Sequence, residues 1–163
     1  MTNQLSSEIV WQELQKELFA VLGMVTASGE ARTTGVVYIV HERKVYILTG
    51  EDTWKARHVR QNQFVSITVP IAKRIPFLPW IKIPAATISF SGKANVIDAE
   101  DVGNDVLHAL MRGMETDTEK VASMCVIEIV PVGEFVTYGV GIPLMTMREP
   151  EKAGGRAPVA ELN

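Results

Sequence analysis

VYILTGEDTWKARHVRQN, residues 45–62, contains a strand, a turn and the start of a helix in direct succession. Val45–Thr49 is apolar and β-branched, which predicts a strand. The next three residues, GED, break that strand, and Thr53 or Asp52 can cap a short helix that runs to about Asn62. The stretch therefore predicts a strand that turns directly into a helix.

The start of this predicted helix has the properties of an anion-binding site. The first backbone N–H groups of a helix have no intrahelical acceptor, and they attract anions. The hydroxyls of Thr49 and Thr53 can donate further hydrogen bonds. Lys55 and Arg57 place two cations in the first turn, where the helix dipole disfavours positive charge. A bound anion would explain that placement, and a solvated basic turn is the alternative.

Outward from this stretch, the chain predicts a mainly β protein. The predicted strands are residues 19–27, 32–40, 45–49, 64–69, 86–97 and a bent strand over 125–140. Tight turns join consecutive strands, which favours antiparallel pairing. Further helices are predicted over residues 8–18 and 100–114. Six such strands predict a small, closed or partly closed barrel with helices at its rim.

The composition excludes several classes of protein. The chain has 163 residues, a net charge of −3 and one cysteine, Cys125. One thiol excludes an intrachain disulfide framework, and it favours the cytoplasm as the location. Proteins that bind nucleic acid are usually basic, so we expect no nucleic-acid partner. The longest apolar zone, residues 71–86, is interrupted by prolines and cations, so no membrane span is predicted.

Residues 1–146 are predicted to form one domain, and residues 147–163 a disordered tail rich in Pro, Gly and charge. The segment IAKRIPFLPWIKIP, residues 71–84, is too apolar for a free loop. Phe77, Leu78 and Trp80 are predicted to line a substrate pocket or to pack on a second subunit. Contact with a membrane surface, and packing on the chain's own barrel, are the alternatives.

Five segments, in their order and spacing, resemble the flavin-binding split-barrel family that includes pyridoxamine 5′-phosphate oxidase. They are LGMVTASGEARTTGVVYIV (22–40), VYILTGEDTWKARHVRQN (45–62), FVSITV (64–69), ISFSGKANVID (88–98) and VIEIVPVGEFVTYG (126–139). The resemblance implies a six-stranded antiparallel split β-barrel with flanking helices. It also implies FMN bound at a two-fold interface, and hence a homodimer.

The resemblance assigns positions to the cofactor. Thr49, Thr53 and Lys55 match residues that hold the flavin phosphate in the family, and residues 36–38 match the strand along which the isoalloxazine ring lies. Thr87 stands where a glutamine touches the ring in the oxidases. The expected cofactor-binding residues are Thr33, Val36, Val37, Tyr38, Thr49, Gly50, Thr53, Trp54, Lys55, Arg57 and Thr87.

Several positions depart from the oxidase pattern. Thr33 stands where the oxidases have an arginine, and Arg32, one residue away, faces the opposite side of a strand. Tyr38 replaces a lysine that holds the phosphorylated vitamin. The C-terminal Trp and Arg of the oxidases have no counterpart in residues 146–163. These differences argue against vitamin B6 phosphate as the substrate.

The expected function is therefore that of an FMN-binding oxidoreductase acting on another small molecule. The residues identify no catalytic group and no metal site. A deazaflavin-dependent reductase is the alternative enzyme, because the K-x-R of residues 55–57 is common to both branches of the family. A non-catalytic flavin- or haem-binding carrier or sensor is the alternative outside enzymes.

Overall fold

The strands form one mainly antiparallel sheet that is curled around the core. Apolar residues alternate along its strands, so that one face of the sheet is buried. The structure, a computed structural model, describes residues 3–78, 80–112 and 118–160. Its strands are β1 (Asn3–Gln4), β2 (Phe19–Val25), β3 (Ala31–Val37), β4 (Ile39–His41), β5 (Lys44–Gly50), β6 (Phe64–Ile71), β7 (Ala86–Asp98), β8 (Met124–Tyr138) and β9 (Gly154–Pro158). Its helices are α1 (Ser7–Lys16), α2 (Trp54–Gln61), α3 (Asn104–Met111), α4 (Thr118–Ala122) and α5 (Pro150–Ala153). The predicted class, a mainly β split barrel with flanking helices, is confirmed.

The sheet runs in the order β1-β9-β8-β7-β6-β2-β3, and β5 pairs with both β4 and β8. The first half of β8 pairs with β5 between Val45↔Ile129 and Gly50↔Met124. The second half pairs with β9 instead. Gly133, at φ +74°, lies between the two halves, where a non-glycine residue would be strained. The bend predicted in this strand is therefore the point where β8 changes its partner.

The core lies inside the curled sheet and is filled from successive strands. On β6, Val65, Ile67 and Val69 are buried, whereas Ser66 is exposed and Thr68 is half-buried. This is the alternation expected of a strand with one face on the core.

Helix α2 closes one end of the sheet. Ala56 and Val59 are buried on its inner side. Helix α1 is held to the strands by Tyr38, whose hydroxyl donates to the carbonyl of Leu14 at 2.7 Å. Burial, with a smaller contribution from the charge of Glu17, raises the pKa of Tyr38, so this hydroxyl keeps its proton.

The structure has more strands than the predicted six. The strand predicted over residues 32–40 is divided into β3 and β4, because the backbone leaves the ladder at Tyr38. The others are β1 and β9, which pair in parallel at the edge of the sheet.

The prediction of a disordered tail from residue 147 is wrong for the described residues 147–160. Met147, Ala153 and Ala157 are buried, and β9 pairs with β8 at Phe135↔Ala157. The carbonyl of Val159 accepts hydrogen bonds from Ser7 Oγ at 3.0 Å and from Trp11 Nε1 at 3.3 Å. The segment packs through alanine and glycine, whose small side chains give no visible hydrophobic periodicity.

We expect Ala157→Asp to destabilise the whole protein. The carboxylate would replace the methyl group of a residue that is 1% exposed. Burying an unpaired charge lowers the free energy of unfolding by several kcal/mol. Thermal and urea denaturation measure the loss. Arg156→Ala is the matched control, because it removes only an exposed ion pair to Glu134, worth about 0–1 kcal/mol. Equal melting of both variants and the wild type would show that the tail does not pack.

Candidate functional site

The turn between β5 and α2 is held by one threonine. The Oγ1 of Thr53 accepts from the N–H of Ala56 at 3.4 Å, which makes Thr53 the N-cap of α2. The same hydroxyl donates to the carbonyl of Gly50 at 2.9 Å. Thr49 Oγ1 lies 3.2 Å from it. Because the single hydroxyl proton of Thr53 goes to Gly50, Thr49 is the donor in this pair.

Both threonines therefore shape the turn, and their protons are already used within it. Thr49 is also 6% exposed. An anion at this helix start would be held first by backbone N–H groups and cations, and a threonine hydroxyl would contribute only after rotating. The direct phosphate contacts expected of Thr49 and Thr53 stay a prediction.

The cations at the helix start have no carboxylate partner in the described part of the chain. Lys55 is half-buried and Arg57 is exposed, and neither forms an ion pair there. Arg60, on the same helix, lies 3.7 Å from the carboxylate of Glu51. The seven Lys and Arg residues between Thr53 and Ile97 are accompanied by no Asp or Glu at all, although the chain has a net charge of −3. No acid within this stretch of the sequence offsets its positive charge.

A polar atom near these cations lacks a partner. The Nδ1 of His58 is buried, and no group in residues 3–78, 80–112 and 118–160 hydrogen-bonds to it. The His58 ring contacts Trp54 edge to face, with 5.6 Å between ring centroids. Trp54 is 40% exposed. The first turn of α2 thus presents an aromatic wall beside two unpaired cations.

Cys125 lies opposite Thr49 in the β5–β8 ladder. Its Sγ is 3.9 Å from the carbonyl of Gly50. Burial raises the pKa of the thiol, and the charges of Arg60 and Lys55 only partly offset this. Cys125 is therefore a protonated, buried thiol, which fits the small apolar role expected of it.

Residues 36–38, which were expected to lie along the isoalloxazine ring, have side chains on both sides of the sheet. Val36 and Tyr38 have buried side chains within the core. Val37, between them, is 55% exposed. Val37 presents its side chain to solvent here, whereas the side chains of Val36 and Tyr38 pack in the core.

Thr33 and Thr87 lie on the outer face of the sheet but are not neighbours. Thr33 is opposite Gly23, and the same row continues through Ser66 to Ser91. Thr87 is four residues along β7 from that row. At about 4.8 Å per strand and 3.4 Å per residue, they are roughly 20 Å apart, so they cannot touch one ring from one subunit.

The middle of this outer face carries small residues that the sequence did not lead us to expect at the site. The residues are Gly23, Gly35, Ser66, Thr68, Ser89 and Ser91. A Cβ on Gly35 would lie 2.8 Å from the ring of Phe19, and one on Gly23 would collide with Ser66 Oγ. Exposed Phe19, Val37 and Phe64 surround the small residues. The sequence signal for this face was the row of serine and threonine residues that alternates with the apolar residues of β6 and β7.

A separate cavity of about 360 Å³ lies against the other side of β5, lined by Val37, Tyr38, Ile39, Leu48, Leu110, Arg112 and Met124. Leu48 and Thr49 are successive residues of a strand, so they face opposite sides. The cavity is therefore separated by β5 from the threonine pair.

The described residues contain no group of three or more His, Cys, Asp or Glu placed to hold a metal ion. Among their helices, none has the length and apolar character needed to cross a membrane.

Three solved structures are similar to this chain in fold. A Listeria innocua protein provisionally assigned as a pyridoxamine 5′-phosphate oxidase is 17% identical, with a TM-score of 0.60 over 77% of this chain and 92% of its own. A structure named F420 reductase is 16% identical, with a TM-score of 0.54 over 76% and 94%. The haem storage protein HutZ from Vibrio cholerae is 14% identical, with a TM-score of 0.58 over 78% and 91%.

No curated protein matches the chain. The family model described as pyridoxamine 5′-phosphate oxidase matches residues 8–132, which include β2 to β7, α2 and the first half of β8. That range is more than half of the chain and contains the strand-turn-helix of residues 45–62, and the chain therefore belongs to the pyridoxamine 5′-phosphate oxidase family.

Proposed function

We propose that this protein is an FMN-binding oxidoreductase that acts on a small molecule, with the flavin phosphate at the start of α2. The observation that carries the proposal is the pair Lys55 and Arg57, which have no carboxylate partner among the described residues. Two cations at the positive end of a helix dipole are unfavourable unless an anion lies between or beside them.

The chemistry of these residues fits a phosphate. The N–H groups of Trp54 and Lys55, at the start of α2, have no intrahelical acceptor and suit phosphate oxygens. Lys55 and Arg57 supply charge-assisted hydrogen bonds. Thr53 holds the turn through its bond to Gly50. Glu51, in this turn, lies in an ion pair with Arg60.

The ring is proposed to lie on the outer face near Val37, between two copies of the chain. The small central residues of that face allow close approach of a second subunit, and its exposed Phe19 and Phe64 would be covered by one. Thr33 and Thr87 cannot contact one ring from one subunit, whereas a ring shared by two subunits needs only one of them from each. These features support a homodimer with the cofactor at its interface.

The bound flavin would supply the redox chemistry, and the protein would supply binding, orientation and exclusion of water. Trp54, 40% exposed on the same turn as Lys55, would cover part of the cofactor. The single cysteine of the chain, Cys125, favours a reducing compartment such as the cytoplasm.

Two other cofactors are supported by specific observations. A deazaflavin also carries phosphate, and the same two cations would bind it. Haem requires an axial ligand, and His58, with its unpartnered Nδ1, is the candidate on α2. The absorption spectrum of the purified protein distinguishes flavin, deazaflavin and haem directly, and a haem or deazaflavin spectrum would replace the FMN proposal.

Lys55→Ala is expected to weaken FMN binding without unfolding the protein. A charge-assisted hydrogen bond to phosphate contributes about 1.5–3 kcal/mol, or roughly ten- to a hundredfold in affinity. Fluorescence titration of apoprotein with FMN and with riboflavin measures the loss, which should appear with FMN alone. Lys16→Ala is the control, because Lys16 pairs with Glu13 on the surface of α1. Unchanged FMN affinity in Lys55→Ala would remove Lys55 from the site.

Ser91→Arg is expected to separate the dimer. Ser91 is exposed at the centre of the outer face, so an arginine fits a single subunit but keeps a second one away. Analytical ultracentrifugation should find a dimer for the wild type and for Gln12→Arg on α1, and a monomer with weakened FMN binding for Ser91→Arg. A wild-type monomer that binds FMN would contradict the shared site.

A further inference from the structure

The connection between β6 and β7 presents a cluster of large apolar side chains to solvent. Phe77 is 95% exposed, Trp80 72%, Ile81 43% and Leu78 38%. We call this cluster the tip. Met145, 71% exposed, lines the same cavity as Ile81 and extends the patch. Contiguous exposed apolar patches of this kind mark interaction sites.

Two backbone hydrogen bonds link residues within and next to the tip. The N–H of Leu78 donates to the carbonyl of Ile75 at 3.2 Å, and the N–H of Ile81 donates to that of Leu78 at 3.1 Å. Phe77 has φ +68° directly after Pro76, the third position of a type II turn, where glycine is usual. Phe77 therefore has a strained backbone conformation although its side chain is almost fully exposed. Backbone strain of this kind is often found at functional sites.

Cations surround the base of the tip. Lys73, Arg74 and Lys82 form no ion pair with any carboxylate of the described residues. They belong to the acid-free stretch between Thr53 and Ile97. Arg148 lines the same cavity as Lys82. The surface of a bilayer has two layers, the phosphates of the headgroups and, beneath them, the boundary with the acyl chains. The aromatic residues of the tip suit the acyl boundary, and the cations at its base suit the phosphates.

We propose that the tip docks this protein on the surface of an anionic lipid bilayer. Phe77 and Trp80 would insert at the boundary between headgroups and acyl chains, while Lys73, Arg74 and Lys82 contact lipid phosphates. The attachment is peripheral and reversible. It goes beyond the proposed redox function and does not depend on which cofactor the protein binds.

The surroundings of the tip argue against two other occupants. The cavity beneath it, about 160 Å³, is lined by neither Phe77 nor Trp80, so these rings do not close over a small ligand there. A second copy packed tip to tip would bring Lys73, Arg74 and Lys82 against their own equivalents, with no acid in either segment. Like charges facing each other disfavour such a contact.

Vesicle sedimentation tests the proposal with the full chain. The probes are vesicles of phosphatidylcholine containing about one third phosphatidylglycerol, and vesicles of phosphatidylcholine alone. The wild type should bind the anionic vesicles, bind the neutral ones much more weakly, and be released by high salt. No binding by the wild type to anionic vesicles would overturn the proposal.

Two sets of variants separate the apolar and electrostatic parts. Phe77→Ser with Trp80→Ser should reduce binding at least about tenfold, whereas Ile9→Ser, an exposed apolar residue on α1, should leave it unchanged. Lys73→Gln, Arg74→Gln and Lys82→Gln together should cost about fivefold for each cation. Lys16→Gln with Lys152→Gln is their control, since both lysines lie elsewhere in surface ion pairs.

Fluorescence locates the contact. Trp80 is expected to be quenched by brominated lipid, and the quenching should disappear in Trp80→Phe although Trp54 remains. The tip side chains are exposed, so the variants should keep the wild-type melting temperature.

Wild-type binding by both sets of variants would place the contact elsewhere and overturn the proposal. Loss of the dimer in Phe77→Ser with Trp80→Ser, in the absence of lipid, would do the same by making the tip a contact between subunits.

Discussion

The pairing of β8 with three other strands is the constraint on which the rest of the structure depends. Along one edge β8 pairs with β7. Along the other edge it pairs first with β5 and then with β9. The β5 pairing fixes Gly50, and through Gly50 the cap at Thr53 and the direction of α2. The β9 pairing brings Ala157 onto Phe135 in the core. The geometry of the candidate site therefore follows from one long, bent strand.

Local signals in the sequence predicted the strand-turn-helix of residues 45–62 because each of its features is local: β-branched residues, a Gly-containing turn and a capping threonine. The role of Tyr38 was less accessible, because burial depends on where the strand lies relative to α1. The order in residues 147–160 depends on a pairing partner elsewhere in the chain, and small buried residues leave no local pattern. Long-range contacts, rather than local propensity, account for what the sequence did not reveal.

Charge is distributed unevenly in this protein, and the two proposed sites share that asymmetry. The stretch from Thr53 to Ile97 carries every cation assigned to the phosphate and to the tip, and no acid. The remaining chain is correspondingly acidic, which keeps the net charge at −3. A positive region within an acidic protein favours anionic ligands at one side and repels them from the others. Local charge, rather than net charge, therefore decides what this molecule can bind.

The register of β5 against β8 also has a consequence for the order in which the protein folds during synthesis. Gly50 lies opposite Met124 in the ladder. The strand before α2 therefore lacks its pairing with β8 until most of the chain has left the ribosome. The bond from Ser7 to Val159 spans 152 residues and forms later still. Contacts so distant in sequence make folding slow and leave apolar strands unpaired meanwhile. A nascent chain of this protein would therefore need protection from aggregation until residues 124–129 have been made and can pair with β5.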